Sequence, residues 1–144
     1  MGLEKILVAY DGSQASTAAL DLAASMADGN DDMRIDVVNV VAVPLLNDEQ
    51  LNSFASVLDL MERDAEGLLK QAVAHLDDAG VENDVETFIL NGTDAASEIA
   101  KLAEQGRYDM VVIGSRGLAG IKGYLGSVSH KLLGICAVPV LIAK

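Results

Sequence analysis

Five short apolar runs recur along the chain: KILVAY at residues 5–10, RIDVVNVVAV at 34–43, DVETFIL at 84–90, DMVVI at 109–113 and VPVLIA at 138–143. Each gap between them is long enough to hold a helix. Continuous runs of Val, Ile and Leu suit strands buried on both faces, and parallel strands need a crossover, usually helical, to bring the chain back to the same edge. The alternation predicts an α/β fold of one domain over residues 1–144, a five-stranded parallel open sheet, Rossmann-like, with helices on both faces. With 3% aromatic residues against 51% apolar, Val, Ile, Leu and Ala must do the packing, as such a sheet requires.

The gaps carry helix punctuation. Asp11-Gly12-Ser13 turns the chain and offers Ser13 as a cap; Ala15, Ala18, Ala19, Leu22, Ala23 and Met26 then follow at helical spacing until Gly29-Asn30. A loop holding Pro44, Asn47 and Asn52 precedes a long amphipathic helix, whose apolar face runs from Phe54 through Val57, Leu58, Met61, Ala65, Leu68, Leu69, Ala72 and Val73 to Leu76, with Gly80 closing it. Asn91-Gly92-Thr93-Asp94 leads into a helix over 95–104, and 127–133 reads as another.

The net charge of −12 disfavours a nucleic-acid partner, and its distribution is uneven. Up to Asp109 there are six basic residues against 22 acidic ones, a net −16; from Met110 onward there are Arg116, Lys122, Lys131 and Lys144 with no carboxylate side chain, a net +4. A tail cleared of carboxylates suits an anion, although a tail of buried strand and tight loop would also carry little charge. No run of eighteen apolar residues is present, the start MGLEKILVAYDG lacks the form of a secretory leader, and the one cysteine, Cys136, sits in an apolar context that fits inert core. Cytoplasmic residence without a membrane partner is the expectation.

In open parallel sheets, ligands bind beyond the carboxyl ends of strands, where the strand order reverses. Two strand ends are chemically distinctive here: Tyr10-Asp11-Gly12-Ser13 after the first, and Gly114-Ser115-Arg116-Gly117 after the fourth. They meet if those strands are neighbours. From Gly114 onward glycine recurs at every third position, through Gly117, Gly120 and Gly123 to Gly126, in too short a stretch and with too little proline for collagen. Glycine directly after a buried strand permits a sharp turn and close approach of a ligand. Gly126-Ser127-Val128-Ser129 then opens a helix, whose unpaired N–H groups and hydroxyls are the parts of a phosphate cradle. No Gly-Lys-Ser or Gly-Lys-Thr occurs, so this is not a Walker A loop, and glycines after a late strand do not make a Rossmann fingerprint.

Together, VAYDGS, NGTDAASEIA, YDMVVIGSRG, the spacing of GSRG and GSVS by eight residues, and CAVPVLIAK resemble the nucleotide-binding branch of the universal stress protein family along the whole chain. The family pattern usually spaces the last two motif glycines by nine residues, so this bridge is one shorter and the register of Gly120 and Gly123 is open. The resemblance implies the adenine nucleotide alpha hydrolase-like form of the fold. It implies ATP, ADP or AMP as ligand, with Mg2+ as a candidate companion, and an unnamed regulatory protein partner. Ala9, Tyr10 and Asp11 are implied to border the adenosine, and Val40 or Val41 to give a backbone contact to the adenine edge. Gly114, Gly117, Gly126, Ser127, Val128 and Ser129 are implied to hold ribose and phosphates, with Ile113 and Arg116 in the same site. The residues themselves leave other roles open: Asp11 could cap the turn before its helix, and Ser127 and Ser129 could cap theirs. Residues 138–143 form an apolar terminal strand needing cover, which the family supplies by forming a homodimer.

Three functions compete. The first is an ATP-binding stress-response or regulatory module with little or no turnover, since no residue is clearly placed to activate water. His75 lies on the polar side of a long helix, and His130 has no carboxylate near it in the tail. The second is a slow ATP hydrolase, or a protein that phosphorylates itself on Ser127 or Ser129. The third is an interaction module that needs no nucleotide. His75, His130 and Cys136 do not form a metal set of known spacing, and FILNGT lacks the acceptor aspartate of a response regulator.

Overall fold

The computed structural model describes residues 2–116 and 125–144. Nine elements alternate along them: β1 Lys5–Ala9, α1 Gln14–Ala27, β2 Arg34–Ala42, α2 Asp48–Asp78, β3 Val85–Gly92, α3 Ala95–Gln105, β4 Met110–Gly114, α4 Ser127–Ile135 and β5 Val140–Ala143. The strands form one parallel sheet in the order β3-β2-β1-β4-β5. The expected doubly wound architecture is what the chain adopts, with β1 and β4 adjacent: Ile6 pairs with Met110 and Ala9 with Ile113.

Strand alternation divides the core in two. Ile6, Val8 and Tyr10 face α1 and α2, packing with Ala19, Leu20, Leu69, Ala72 and Leu76, whereas Leu7 and Ala9 face α3 and α4, packing with Ile99, Ala103 and Leu132. Ile6, Leu7 and Val8 are wholly buried, each worth roughly 1.5–3 kcal/mol relative to exposure.

Boundaries differ from the sequence reading where side chains act on the backbone. α2 begins at Asp48, ahead of the expected start near Phe54, because Asn47 and Gln50 form a reciprocal capping box: the Asn47 side chain accepts from Gln50 N, and the Gln50 side chain accepts from Asn47 N. Asn52 is therefore helical rather than in a loop. On α1 the buried row is Ala15, Ser16, Ala19, Leu20, Ala23 and Ala27, which leaves Leu22 exposed despite its place in the expected stripe. β3 continues two residues further, Asn91 and Gly92 laddering with Val41 and Ala42. α4 runs on to Ile135 with a half-buried Cys136 as its C-cap, and β5 starts only at Val140.

At the amino end of the sheet a polar group is buried on purpose. Asp36 accepts from Tyr108 Oη at 2.6 Å and from Arg34 Nε at 2.9 Å, and Arg34 also pairs with Glu86 at 2.6 Å. Burial, reinforced by the Asp36 carboxylate, pushes the Tyr108 phenol well above its ordinary pKa, and the bond to Glu86 leads those that hold the Arg34 guanidinium charged. Among the described residues, no helix is long and apolar enough to cross a membrane.

Candidate functional site

At the carboxyl ends of β1, β2 and β4, where the strand order reverses, lies a cavity of about 310 Å³. Its floor is Ala9, Tyr10 and Asp11 from β1 and its turn, Val38, Asn39 and Val40 from β2, and Ile113, Gly114 and Arg116 from β4 and beyond. Ser16 of α1, Ala95 and Ile99 of α3, and Gly126, Ser127, Val128 and Ser129 at the start of α4 form the walls. Of the alternatives Val40 and Val41, Val40 lines the cavity; Val41, the next residue on the strand, is buried and does not. Gly117, Gly120 and Gly123 lie outside the described residues. Ser16, Val38, Asn39, Ala95 and Ile99 were not anticipated. Asn39 had a signal, a polar residue inside an apolar strand; Ile99 and Val38 had none beyond core periodicity.

The β1 end is tied down by side chains. Tyr10 N donates to Val38 O at 3.0 Å, and Asn39 Nδ2 donates to Tyr10 O at 2.8 Å, so β2 holds the residue before Asp11 from both sides. One Asp11 carboxylate oxygen accepts from Ser13 N at 2.9 Å, so the turn-capping role is real while the residue also lines the cavity. Gly12 sits at φ +84°, a left-handed conformation that favours glycine, and a Cβ there would meet Leu68 Cδ2 at 2.8 Å. Gly114 has a structural reason of its own: a Cβ would lie 2.6 Å from Ala15 C and 2.7 Å from Ser16 N, so α1 could not approach β4 this closely.

Three helix N-termini border the cavity, and they differ in one respect. α1 is capped by Ser13, whose Oγ accepts from Ser16 N at 3.1 Å. α3 is capped by Asp94, which accepts from Ser97 N and is pinned to α4 by Lys131; the ammonium, then the Ser97 hydroxyl, hold that carboxyl below its usual range. α4 has Gly126 as N-cap and, among the described residues, no side-chain cap bond. The first helical bond into Gly126 O comes from His130 N, so the amides of Ser127, Val128 and Ser129 precede the intrahelical ladder. Ser127 is exposed. Ser129 is buried, its hydroxyl donating to Ser115 O and Gly126 O rather than capping the helix.

A helix start without a side-chain cap among the described residues, with a nearby cation, Arg116, suits an anion; the apolar lining of Val38, Val40, Ala95 and Ile99 suits a flat apolar ring; the Asp11 carboxylate suits hydroxyl donors. Neither histidine lines this cavity. His75 Nε2 instead lies 2.6 Å from Asp21 Oδ1, joining α2 to α1, a carboxylate partner that sequence distance concealed.

A five-stranded parallel sheet with a cavity at its switch point defines an open, doubly wound α/β protein of the kind that builds ligand sites from strand ends. The universal stress protein family model matches residues 2–144. The chain belongs to that family. It is 34% identical to the universal stress protein YxiE of Bacillus subtilis (strain 168), over 97% of this chain and 98% of that one. The fold is similar to that of the universal stress protein UspA from Lactobacillus plantarum, with TM-score 0.85 and 20% identity over 100% and 99% of the two chains. It is similar also to a universal stress protein family protein of Arabidopsis thaliana solved with AMP bound, with TM-score 0.71 and 22% identity over 97% and 90%.

Proposed function

We propose that this protein is a regulatory module that holds ATP in the switch-point cavity and turns it over slowly or not at all. The observation that carries the reading is the contrast between helix ends: α1 and α3 satisfy their first amides with their own side chains, whereas α4 opens without a side-chain cap among the described residues, near Arg116. Adenosine would lie over Asp11 and Val40, with its phosphates toward Gly126, Ser127 and Val128. The AMP held by the Arabidopsis relative supports the class of ligand. Asp11 is the one carboxylate lining the cavity among the described residues, so Mg2+ would be carried chiefly by phosphate oxygens and water.

Releasing bound nucleotide by denaturing the purified protein, followed by mass spectrometry and calorimetric titration with ATP, ADP and AMP, tests this. ATP binding is the expected result, and no binding of any adenine nucleotide would overturn it. Ser127, exposed at the cavity, keeps the autophosphorylating alternative alive. A steady-state turnover above roughly 1 per second, or stoichiometric phosphate on Ser127, would favour that reading.

We further infer a homodimer through β5. Both β3 and β5 are sheet edges, but β3 carries Glu86 and Asn91, whereas β5 is Val-Leu-Ile-Ala with no charge to deter pairing. A monomer by sedimentation at micromolar concentration would count against it.

A further inference from the structure

Backbone hydrogen bonds along β2 alternate between its two neighbours. Arg34 N donates to Glu4 O and Val38 O accepts from Tyr10 N, so the even-numbered residues turn to β1, while Ile35 N donates to Asp84 O and Val43 N to Gly92 O, so the odd-numbered ones turn to β3. Val40 therefore faces the β1 side. The next rung of that ladder would be Val40 N donating to Tyr10 O, and it is not made: Tyr10 O accepts from Asn39 Nδ2 at 2.8 Å instead. Among the described residues, neither the N–H nor the C=O of Val40 has a backbone partner on the β1 side. Both open on the crevice between the two strand ends, where Val40 lines the cavity.

An extended residue with both groups free presents a donor beside an acceptor. That edge complements the ring nitrogen and amino group of a 6-aminopurine, an acceptor beside a donor, and it opposes the ring N–H and carbonyl of a 6-oxopurine, whose order is reversed. Keeping the edge free requires that Tyr10 O, on a buried residue, be satisfied by something other than Val40. Asn39, the polar residue within the run VVNVVA of β2, supplies that donor from its side chain. We propose that Asn39 is a positioning residue for base recognition: by occupying Tyr10 O it ends the β1–β2 ladder at Val38 and holds the Val40 N–H and C=O open to a 6-aminopurine. This rests on the nucleotide reading above and adds to it the side chain that shapes the base subsite.

The test combines amide hydrogen exchange by NMR with calorimetric titration of the full chain, using AMP, IMP and ribose 5-phosphate, the last carrying sugar and phosphate without a base. In the free protein the Val40 amide is expected to exchange at least about tenfold faster than those of Tyr10 and Val43, which are hydrogen-bonded, and to slow by a similar factor with AMP but not with ribose 5-phosphate. Asn39→Leu, similar in size but without the donor, is expected to let the ladder close. Its Val40 amide should then be protected in the free protein, and its preference for AMP over IMP should fall at least about tenfold while ribose 5-phosphate binds as in the parent. The exchange measurement on the parent decides the matter even where the variant is unstable. A free parent whose Val40 amide is as slow as that of Tyr10, or an unaltered preference for AMP over IMP in a folded Asn39→Leu, would overturn the proposal and leave nucleotide binding standing. A parent that binds no AMP would overturn it by another route, removing the nucleotide reading on which it rests.

Discussion

The hydroxyl of Ser129 donates to the carbonyl oxygen of Ser115 at 3.2 Å, fastening the first turn of α4 to the residue that follows β4. Gly126 N donates to the same oxygen at 2.7 Å, so one carbonyl holds the helix start at two points. The Ser129 proton is thereby committed to the protein. Ser129→Ala should loosen the aim of the α4 amides and weaken ATP, ADP and AMP together by about 1 kcal/mol, roughly fivefold. Titration calorimetry checks this; unchanged affinities would show that the helix start is held without the hydroxyl.

Gly114 separates a packing role from a ligand role. An added Cβ would stand 2.6 Å from the backbone of Ala15, which moves only if α1 moves. Gly114→Ala should cost about 1–3 kcal/mol in urea unfolding, with weaker nucleotide binding following from the displaced helix. Full stability with lost binding would return the glycine to the ligand.

How far the sequence was legible follows the range of the forces involved. The runs around Ile6–Val8 and Val111–Ile113 announce buried parallel strands because burial on both faces excludes polar residues, and Asp11-Gly12-Ser13 announces the start of α1 because the Ser13 cap is local. The α2 start was missed because a capping box needs both Asn47 and Gln50 to reach each other's backbone, and the pattern of apolar residues is silent about that. Pairings across the fold, such as His75 with Asp21 or Tyr108 with Asp36, have no local signature. Within the site, the strand-end residues were legible from their place beside Asp11 and Gly114, while Ile99 reaches the cavity only because α3 packs across β2.

The Tyr108–Asp36 bond predicts a pH response with a definite sign. The folded protein raises the phenol above its unfolded pKa of about 10, so this contribution to stability is fully present below that pH and is lost as pH rises through the folded value. In an alkaline titration followed by tyrosinate absorbance, Tyr108 should stay protonated beyond the pH at which a tyrosine of the unfolded chain ionises, and should ionise on unfolding. Tyr108→Phe leaves one oxygen of the buried Asp36 carboxylate without this donor and should cost about 1–3 kcal/mol by denaturant titration. A neutral effect would mean that Arg34 and the backbone N–H of Glu86 satisfy Asp36 without the phenol.

Asp11 and Ser127 lie on opposite sides of the proposed ligand and should be separable by nucleotide length. Asp11 has two possible duties, since its carboxylate both caps the turn through Ser13 N and lines the cavity. Asp11→Asn keeps an acceptor for the turn while removing the charge, so the melting temperature should hold while ATP, ADP and AMP all weaken alike, roughly threefold to tenfold, because adenosine is common to the three. Ser127 sits exposed in the first turn of α4, and its hydroxyl is proposed to face the outer phosphates. Ser127→Ala should therefore weaken ATP by a similar factor and leave AMP almost unchanged. Calorimetric titration of both variants with each nucleotide decides the orientation: equal losses for ATP and AMP in Ser127→Ala, or a loss confined to ATP in Asp11→Asn, would mean that the phosphates do not run from β1 toward α4.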